Sequence, residues 1–233
     1  MIVNPNTTES MTKLVVEGAR AAASRATRLV GSTARRGVDS VESAVDEVWG
    51  ALGVLEQVRA GEATGVDGYV IACFGDTGVA AARETARGPV VGMTEAALFT
   101  AALLAARFSI VTLPPRTREQ SHRVLRETGL AHRCTVRAID VPVSGIAAGS
   151  THQFDAVLSE SRAALRADAA EAIVLGCAGL SDLVAPLSEA LQVPVIDGVA
   201  AAVAMVEGLL AQGLATSRAS TYAAPERLGP AAP

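Results

Sequence analysis

Cysteines and aromatic residues are scarce in this chain of 233 residues, which has three cysteines and only 3% Phe, Trp and Tyr together. Three cysteines cannot all pair within one chain, and no two of them form a CxxC motif. The three histidines show no metal-ligand spacing. These absences argue against a disulfide framework and against a structural zinc site, so we expect reduced cysteines and no metal.

Long hydrophobic runs and an excess of one charge are also missing. The longest apolar stretch, 96–106, contains a threonine and is far shorter than the ~20 residues of a membrane span. No secretory signal precedes it, and a net charge of -4 with both signs interspersed lacks the basic footprint of a nucleic-acid binder. No phosphate-binding glycine motif follows a strand, so no nucleotide cofactor is indicated. We expect a cytoplasmic protein whose partner is a small-molecule substrate, without nucleic acid or membrane.

Half of the residues are hydrophobic, and short β-branched runs alternate with longer alanine-rich segments of helical period. This alternation predicts parallel sheet covered by helices. In the second helix, Trp49 and the apolar residues around it are expected on the buried face. The predicted strands are 27–30, 68–72, 90–91, 108–112, 135–141, 172–175 and 193–196, with a short strand at the N-terminus. The predicted helices are 9–23, 40–60, 76–86, 94–106, 116–128, 153–167, 181–191 and 198–210.

An internal repeat is the most informative feature. The segment DGYVIACFG (67–75) matches EAIVLGCAG (171–179), each with an acidic residue, an apolar strand, a cysteine and a later glycine. Downstream, GPVV and VPVI align as well, with the cysteines 104 positions apart and the prolines 105. The repeat predicts two similar α/β halves, 1–93 together with 197–214, and 94–196, followed by a C-terminal arm, 215–233.

The repeat places Cys73 and Cys177 after buried strands, at the sheet edge where open α/β sheets bind ligands. A single buried cysteine is more often a small hydrophobe, but two at equivalent positions favour a function. Facing thiols suit racemisation, in which a thiolate removes a proton from one face of a carbon and a thiol delivers one to the other. A nearby helix N-terminus is expected to lower the thiol pKa, and the glycines let backbone N–H groups approach an enolate. Cys134 has no counterpart and is interpreted as structural.

Several motifs resemble the hydantoin racemase family of the aspartate/glutamate/hydantoin racemase superfamily, a family that includes the allantoin racemases. They are NPNTT (4–8), CFGDTG (73–78) followed by ARE, PVVG (89–92), GCAG (176–179) and STYA (220–223). The resemblance extends over nearly the whole chain. It implies two Rossmann-like (flavodoxin-like) halves with the active site in the cleft between them, no cofactor and a homo-oligomer.

By this resemblance, Cys73 and Cys177 are the acid–base pair. Position 77 is threonine where the family typically has proline, and we expect this to loosen the turn without affecting the chemistry. The residues expected to contact the substrate are Asn4, Asn6, Thr7, Phe74, Gly75, Thr112, Ala178 and Gly179.

The residues beside the cysteines bear on the substrate. Phe74-Gly75 and Ala178-Gly179 replace the polar neighbours with which glutamate racemases hold a charged amino acid, so a neutral hydantoin ring, or allantoin, is favoured. An amino-acid racemase and a maleate-type isomerase remain alternatives within the superfamily. An arylmalonate decarboxylase, which keeps one of the two cysteines, ranks lower. A small-molecule binding protein that retains the fold is the non-enzymatic alternative.

Overall fold

Two four-stranded parallel sheets form the framework of the chain, for which a computed structural model describes residues 1–146 and 151–225. The strand orders are β2-β1-β3-β4 and β6-β5-β7-β8, so the second sheet repeats the first with every strand number advanced by four. The predicted fold of two similar α/β halves is therefore confirmed. The strands are β1 (Ile2–Asn4), β2 (Gly31–Thr33), β3 (Tyr69–Ile71), β4 (Val90–Gly92), β5 (Phe108–Thr112), β6 (Cys134–Ala138), β7 (Ala172–Gly176) and β8 (Val195–Ile196).

An α-helix follows each of the eight strands, in the alternating pattern that the sequence predicts, and these helices cover the apolar sides of both sheets. Buried apolar clusters lie on each face of each sheet. Within the described residues, no helix is both long and apolar enough to cross a bilayer. The helices are α1 (Glu9–Arg20), α2 (Ala44–Ala63), α3 (Val79–Thr85), α4 (Met93–Leu104), α5 (Arg118–Glu127), α6 (Phe154–Ala167), α7 (Val184–Leu191) and α8 (Gly198–Ala211).

Helices α4 and α8 join the two halves. Helix α4 follows the first sheet but packs against β7 of the second, whereas α8 follows the second sheet and packs against β3 and β4 of the first. The two helices also pack on each other. Helix α4 thus completes the second half, and helix α8 completes the first. Because each of these helices connects one sheet to the other, the carboxyl edges of the two sheets are held together.

Two local predictions were wrong. Strand β2 begins at Gly31, after the predicted segment 27–30, because this polar edge strand lacks the β-branched run that marks an inner strand. On α2, Trp49 is 46% exposed, as the buried face is formed instead by small and apolar residues that include Gly50, Gly53 and Val54. Glycines permit a closer approach than an aromatic stripe does: a Cβ at Gly53 would lie 2.9 Å from the Cβ of Ala34.

The described part of the predicted C-terminal arm lies against α3. The guanidinium of Arg218 donates hydrogen bonds to the carbonyl oxygens of Arg83 and Glu84, at 3.0 and 2.8 Å. The guanidinium of Arg83 in turn stands 5.8 Å from the centre of the Tyr222 ring. Positive charge at a helix C-terminus is favourable, so Arg218 stabilises the end of α3. Residues 226–233 of the predicted arm lie outside the described residues.

Candidate active site

One cavity lies where the carboxyl ends of the central strands of both sheets meet. Strands β1 and β3 contribute Asn4 and Cys73, and strands β5 and β7 contribute Thr112 and Cys177. Its empty volume, including the open mouth, is about 570 Å³. Ligand sites at this edge of parallel sheets are expected from the fold. The lining residues are Asn4, Asn6, Met11, Val15, Val41, Ala72, Cys73, Phe74, Thr112, Leu113, Thr117, Gln120, Val143, Gly176, Cys177, Ala178 and Gly179.

The sheet fixes Cys177 directly, because this residue follows β7 and precedes a 3₁₀ helix, Ala178–Leu183. In the ladder, Gly176 pairs with Thr112, whose hydroxyl donates a hydrogen bond of 2.9 Å to the Gly176 carbonyl. A Cβ at Gly176 would lie 2.5 Å from the Cβ of Thr112, so only glycine fits there. Thr112 therefore holds the backbone of the residue before Cys177.

The turn that carries Cys73 is bound to the N-terminus of α4. The N–H of Gly75 donates to Thr94 Oγ1 at 2.7 Å. The Asp76 carboxylate accepts the N–H groups of Thr94 and Glu95, at 2.8 and 2.9 Å. Asp76 has a positive φ of 55°, an unusual conformation for a residue other than glycine. Three hydrogen bonds thus tie the residues after Cys73 to a helix of the other half's core.

Arg123 of α5 supports the same turn from the second half. Its guanidinium donates 2.8 Å to the carbonyl oxygen of Gly75 and forms two bonds, of 3.1 and 2.7 Å, with the carboxylate of Glu47 on α2. A forked guanidinium–carboxylate pair fixes geometry as well as charge. The position of Cys73 therefore depends on residues from both halves.

Both thiols are more difficult to ionise than an ordinary cysteine. The pKa of the Cys73 thiol is raised to about 12, mainly by burial; the Thr77 hydroxyl lowers it, and the nearby negative charges of Cys177, Asp76 and Glu47 raise it. Burial raises the pKa of the Cys177 thiol to about 11, although a hydrogen bond from the backbone N–H of Gly179 lowers it. The net lowering expected from helix N-termini is therefore not found: at Cys177 the Gly179 N–H belongs to the 3₁₀ helix that follows, but burial outweighs its effect on the pKa. Desolvation dominates, and α3 begins only at Val79.

Thr77, which was expected only to loosen the turn, lies in contact with Cys73. Its Oγ1 lies 3.6 Å from the Cys73 sulfur, within the range of a hydrogen bond to sulfur. The residue is 3% exposed. The residue at position 77 therefore places a hydroxyl against a predicted catalytic thiol.

The predicted contact residues divide between the cavity and its supports. Asn4, Asn6, Phe74, Thr112, Ala178 and Gly179 line the cavity together with both cysteines. Thr7 is not among the lining residues, and its hydroxyl donates to the carbonyl oxygen of Val38 at 3.1 Å. Gly75 is likewise outside the lining, with its N–H already bonded to Thr94.

The Asn-Pro-Asn turn after β1 is held by its own amides. The Asn4 side chain donates to Asn6 Oδ1 at 2.9 Å and to Thr12 Oγ1 at 3.0 Å, and its own Oδ1 accepts the Asn6 N–H. The Asn6 amide nitrogen, in contrast, has a weak sulfur acceptor, Met11 Sδ at 3.3 Å. Asn4 therefore shapes the turn, while the Asn6 amide is better placed to donate to a ligand.

Sequence reasoning missed the wall of the cavity. These residues come from helices and loops that approach the strand ends only in the folded chain, so no motif marks them. Gln120 alone had a local signal, as a polar residue in the first turn of α5, close to the end of β5. The missed residues of the wall are Met11, Val15, Val41, Leu113, Thr117, Gln120 and Val143; Ala72 and Gly176, each directly before a cysteine, were also not predicted.

Comparison with known proteins identifies the family. The model of the family described as Asp/Glu/Hydantoin racemase matches residues 1–206. The chain belongs to this racemase family. The family is one of isomerases, which agrees with the enzyme class predicted from the paired cysteines.

Individual racemases are similar over nearly their whole length. The hydantoin racemase of Rhizobium meliloti is 44% identical over 225 residues, which cover 96% of this chain and 93% of that protein. The structure of the allantoin racemase from Klebsiella pneumoniae has a TM-score of 0.94 and 46% identity, and covers 97% of this chain and 93% of that one. That of the allantoin racemase from Pseudomonas fluorescens has a TM-score of 0.93 and 37% identity, and covers 97% and 96%.

Proposed function

We propose that this chain racemises 5-substituted hydantoins, or allantoin, by proton transfer between the C5 carbon of the ring and the two thiols of Cys73 and Cys177. The observation that carries the proposal is the placement of one thiol from each half at a single cavity. The negative charge of one thiolate raises the pKa of the other, so once one thiol has ionised the other stays protonated. This is the protonation state that two-base racemisation requires.

In the reaction, the thiolate takes the proton from C5, and the electron pair of the C–H bond moves into the adjacent carbonyl to give an enolate. The thiol then donates its proton to the opposite face of C5. The product is the other enantiomer, with the protonation states of the two cysteines exchanged. The Asn6 amide is our candidate donor to the enolate oxygen, since its present acceptor is a weak one.

The lining of the cavity supports a neutral substrate. Among the described residues that line it, none is Asp, Glu, Lys, Arg or His, and the polar ones are amides, hydroxyls and the two thiols. A zwitterionic amino acid would lose hydration there without a charged partner, at a cost of several kcal/mol. The similarity to hydantoin and allantoin racemases points to the same substrate class.

Loss of optical rotation tests the proposal. L- and D-5-benzylhydantoin, both enantiomers of allantoin, and L-aspartate and L-glutamate are incubated with the enzyme in EDTA and with an enzyme-free blank. We expect both enantiomers of at least one ring compound to decay to zero rotation, without decay of the amino acids. Racemisation of an amino acid alone would overturn the substrate class.

Cysteine variants test the two-base mechanism. Cys73→Ser and Cys177→Ser are expected to abolish racemisation, while Cys134→Ser retains it because Cys134 lies on β6, away from the lining of the cavity. A single variant is expected to exchange the C5 proton of one enantiomer with D₂O. Full racemisation by Cys177→Ser would exclude two-base transfer.

A further inference from the structure

Thr77 is the described side chain that lowers the pKa of the Cys73 thiol. Its Oγ1 is 3.6 Å from Sγ of Cys73. Neighbouring charges act in the opposite direction, since Cys177, Asp76 and Glu47 each disfavour a negative sulfur. Within the described residues, the Cys73 sulfur has one other hydrogen-bond contact, at 3.9 Å to the carbonyl oxygen of Phe74, and a carbonyl cannot donate to a thiolate.

The orientation of the hydroxyl is set by the methyl group on the same carbon. A Cβ at Gly50 of α2 would lie 3.1 Å from Cγ2 of Thr77, so the methyl packs against this glycine. Threonine is β-branched and has few accessible rotamers. With the methyl against α2, the hydroxyl is held beside Cys73. Thr77 is not among the residues lining the cavity, so it reaches the sulfur without contacting the substrate space.

A hydroxyl group can serve both forms of a thiol that changes its protonation state. It donates a hydrogen bond to a thiolate and accepts one from a thiol by rotation of its own O–H bond.

We propose that the Thr77 hydroxyl stabilises the thiolate form of Cys73 during racemisation, donating to the sulfur when it is charged and accepting from it when it is protonated. Thr77 keeps its own proton throughout, so only the two cysteines give and take protons in the reaction. The proposal rests on the two-cysteine function proposed above. It assigns part of the reactivity of Cys73 to a residue that does not line the cavity.

The test uses two pairs of variants that differ by the hydroxyl. Thr77→Val removes it and keeps the branched shape, while Thr77→Ser and Thr77→Ala differ from each other only by an oxygen atom. Thr85→Val is the matched control, because the Thr85 hydroxyl bonds within α3 to the carbonyl oxygen of Ala81. For each full-length variant, the rate of iodoacetamide labelling of the peptides containing Cys73 and Cys177 is measured from pH 7 to 10 by mass spectrometry. The kcat and KM for the ring substrate are measured alongside.

We expect Thr77→Val to label at Cys73 about tenfold to a hundredfold more slowly than the wild type at each pH below the thiol pKa, the range for a hydrogen bond to a charged group. Labelling of Cys177 is expected to be unchanged, and kcat to fall by a similar factor at an unchanged KM. The Ser variant is expected to label faster than the Ala variant by a comparable factor. Thr85→Val should match the wild type.

Equal Cys73 labelling profiles for the Thr and Val proteins, and for the Ser and Ala proteins, would overturn the inference. If Thr77→Val does not fold, the Ser and Ala pair decides alone. Failure of the proposed function has a different signature, since Cys73→Ser would then racemise at the wild-type rate. An inactive Cys73→Ser together with equal labelling in both pairs would leave the two-cysteine function intact and exclude the role of Thr77.

Discussion

The carboxylate of Asp76 occupies, at the N-terminus of α4, the place that the side chain of Asp197 occupies at the N-terminus of α8. Asp197 directly precedes α8 and accepts the N–H groups of Val199 and Ala200. The residue at the same place before α4 is Gly92, and a Cβ there would lie 2.3 Å from Cγ of Asp76. Helix α4 therefore takes its cap from the turn that carries Cys73, whereas α8 is capped by the residue directly before it.

This difference predicts different effects of removing the two caps. Asp197→Ala is expected to lower the free energy of unfolding by about 1 kcal/mol, as for other helix caps, and to leave racemisation within about twofold of the wild type. Asp76→Ala is expected to cost about 2–3 kcal/mol, because alanine must also adopt a positive φ. Its kcat should fall at least tenfold, since the Cys73 turn loses its anchor. Urea unfolding and racemisation rates measure both effects.

Asp197→Ala is also the control for Asp76→Ala, because it removes a cap of the same chemistry from a helix whose cap is remote from Cys73. Equal losses of activity in both variants would mean that Asp76 acts on stability alone.

A second prediction concerns the pH dependence of stability. Burial, and then the charge of Glu95, raise the pKa of the Asp76 carboxyl to about 7, against the two backbone N–H donors that lower it. In the unfolded chain the pKa is about 4. Between these values the folded state binds more protons, so the contribution of Asp76 to stability falls as the pH rises from about 4 to about 7.

Asp76→Asn isolates this contribution, because asparagine does not titrate. The difference in unfolding free energy, wild type minus variant, is expected to decrease between pH 4.5 and 8 in urea titrations. An increase over the same range would show that the backbone N–H donors outweigh burial and that the pKa is lowered.

A third prediction follows from the thiol pKa values of about 12 for Cys73 and about 11 for Cys177. The thiolate is the reactive form, so iodoacetamide labelling of both residues in the free enzyme should rise about tenfold per pH unit from pH 7 to 9.5, without a plateau. Mass spectrometry of the labelled peptides gives each rate. A plateau near pH 8.5 would indicate ordinary thiols.

A fourth prediction concerns Arg123, which links α2, α5 and the Cys73 turn. Arg123→Ala leaves the partly buried Glu47 carboxylate without this partner and frees the carbonyl oxygen of Gly75. We expect kcat for the ring substrate to fall about tenfold, because the thiol is less firmly positioned. Arg126→Ala removes an exposed pair with Glu119 on the same helix and should leave kcat within about twofold. Equal kcat values for the two variants would show that Arg123 does not help to position Cys73.

The architecture and the positions of the two thiols could be predicted from the sequence, because each depends on a local pattern that occurs twice. A buried strand followed by Cys and, two positions later, Gly occurs at Cys73 and again at Cys177, and parallel strands bring such positions to one edge. Strand β5 was predicted with its observed bounds for a related reason: it is a central strand buried along its whole length.

Other features depend on contacts that no local pattern records. Strand β2 is a polar edge strand, recognisable only through its pairing with β1. The exposure of Trp49 follows from glycines on the opposite face of α2, against which other chain segments pack. Thr77 was considered only as a variation of a turn, because its proximity to Cys73 depends on the path of the chain through Gly75 and Asp76.

The cavity has two parts that are built differently: the positions of the two thiols, and the apolar wall. The two thiols are fixed by strand ladders, a shared helix cap and the glycine opposite Thr112. The apolar wall formed by Met11, Val15, Val41 and Val143 is supplied by a helix and connecting segments that carry none of those supports. Natural variation or laboratory selection can therefore reshape the cavity at this wall while the two thiols keep their positions.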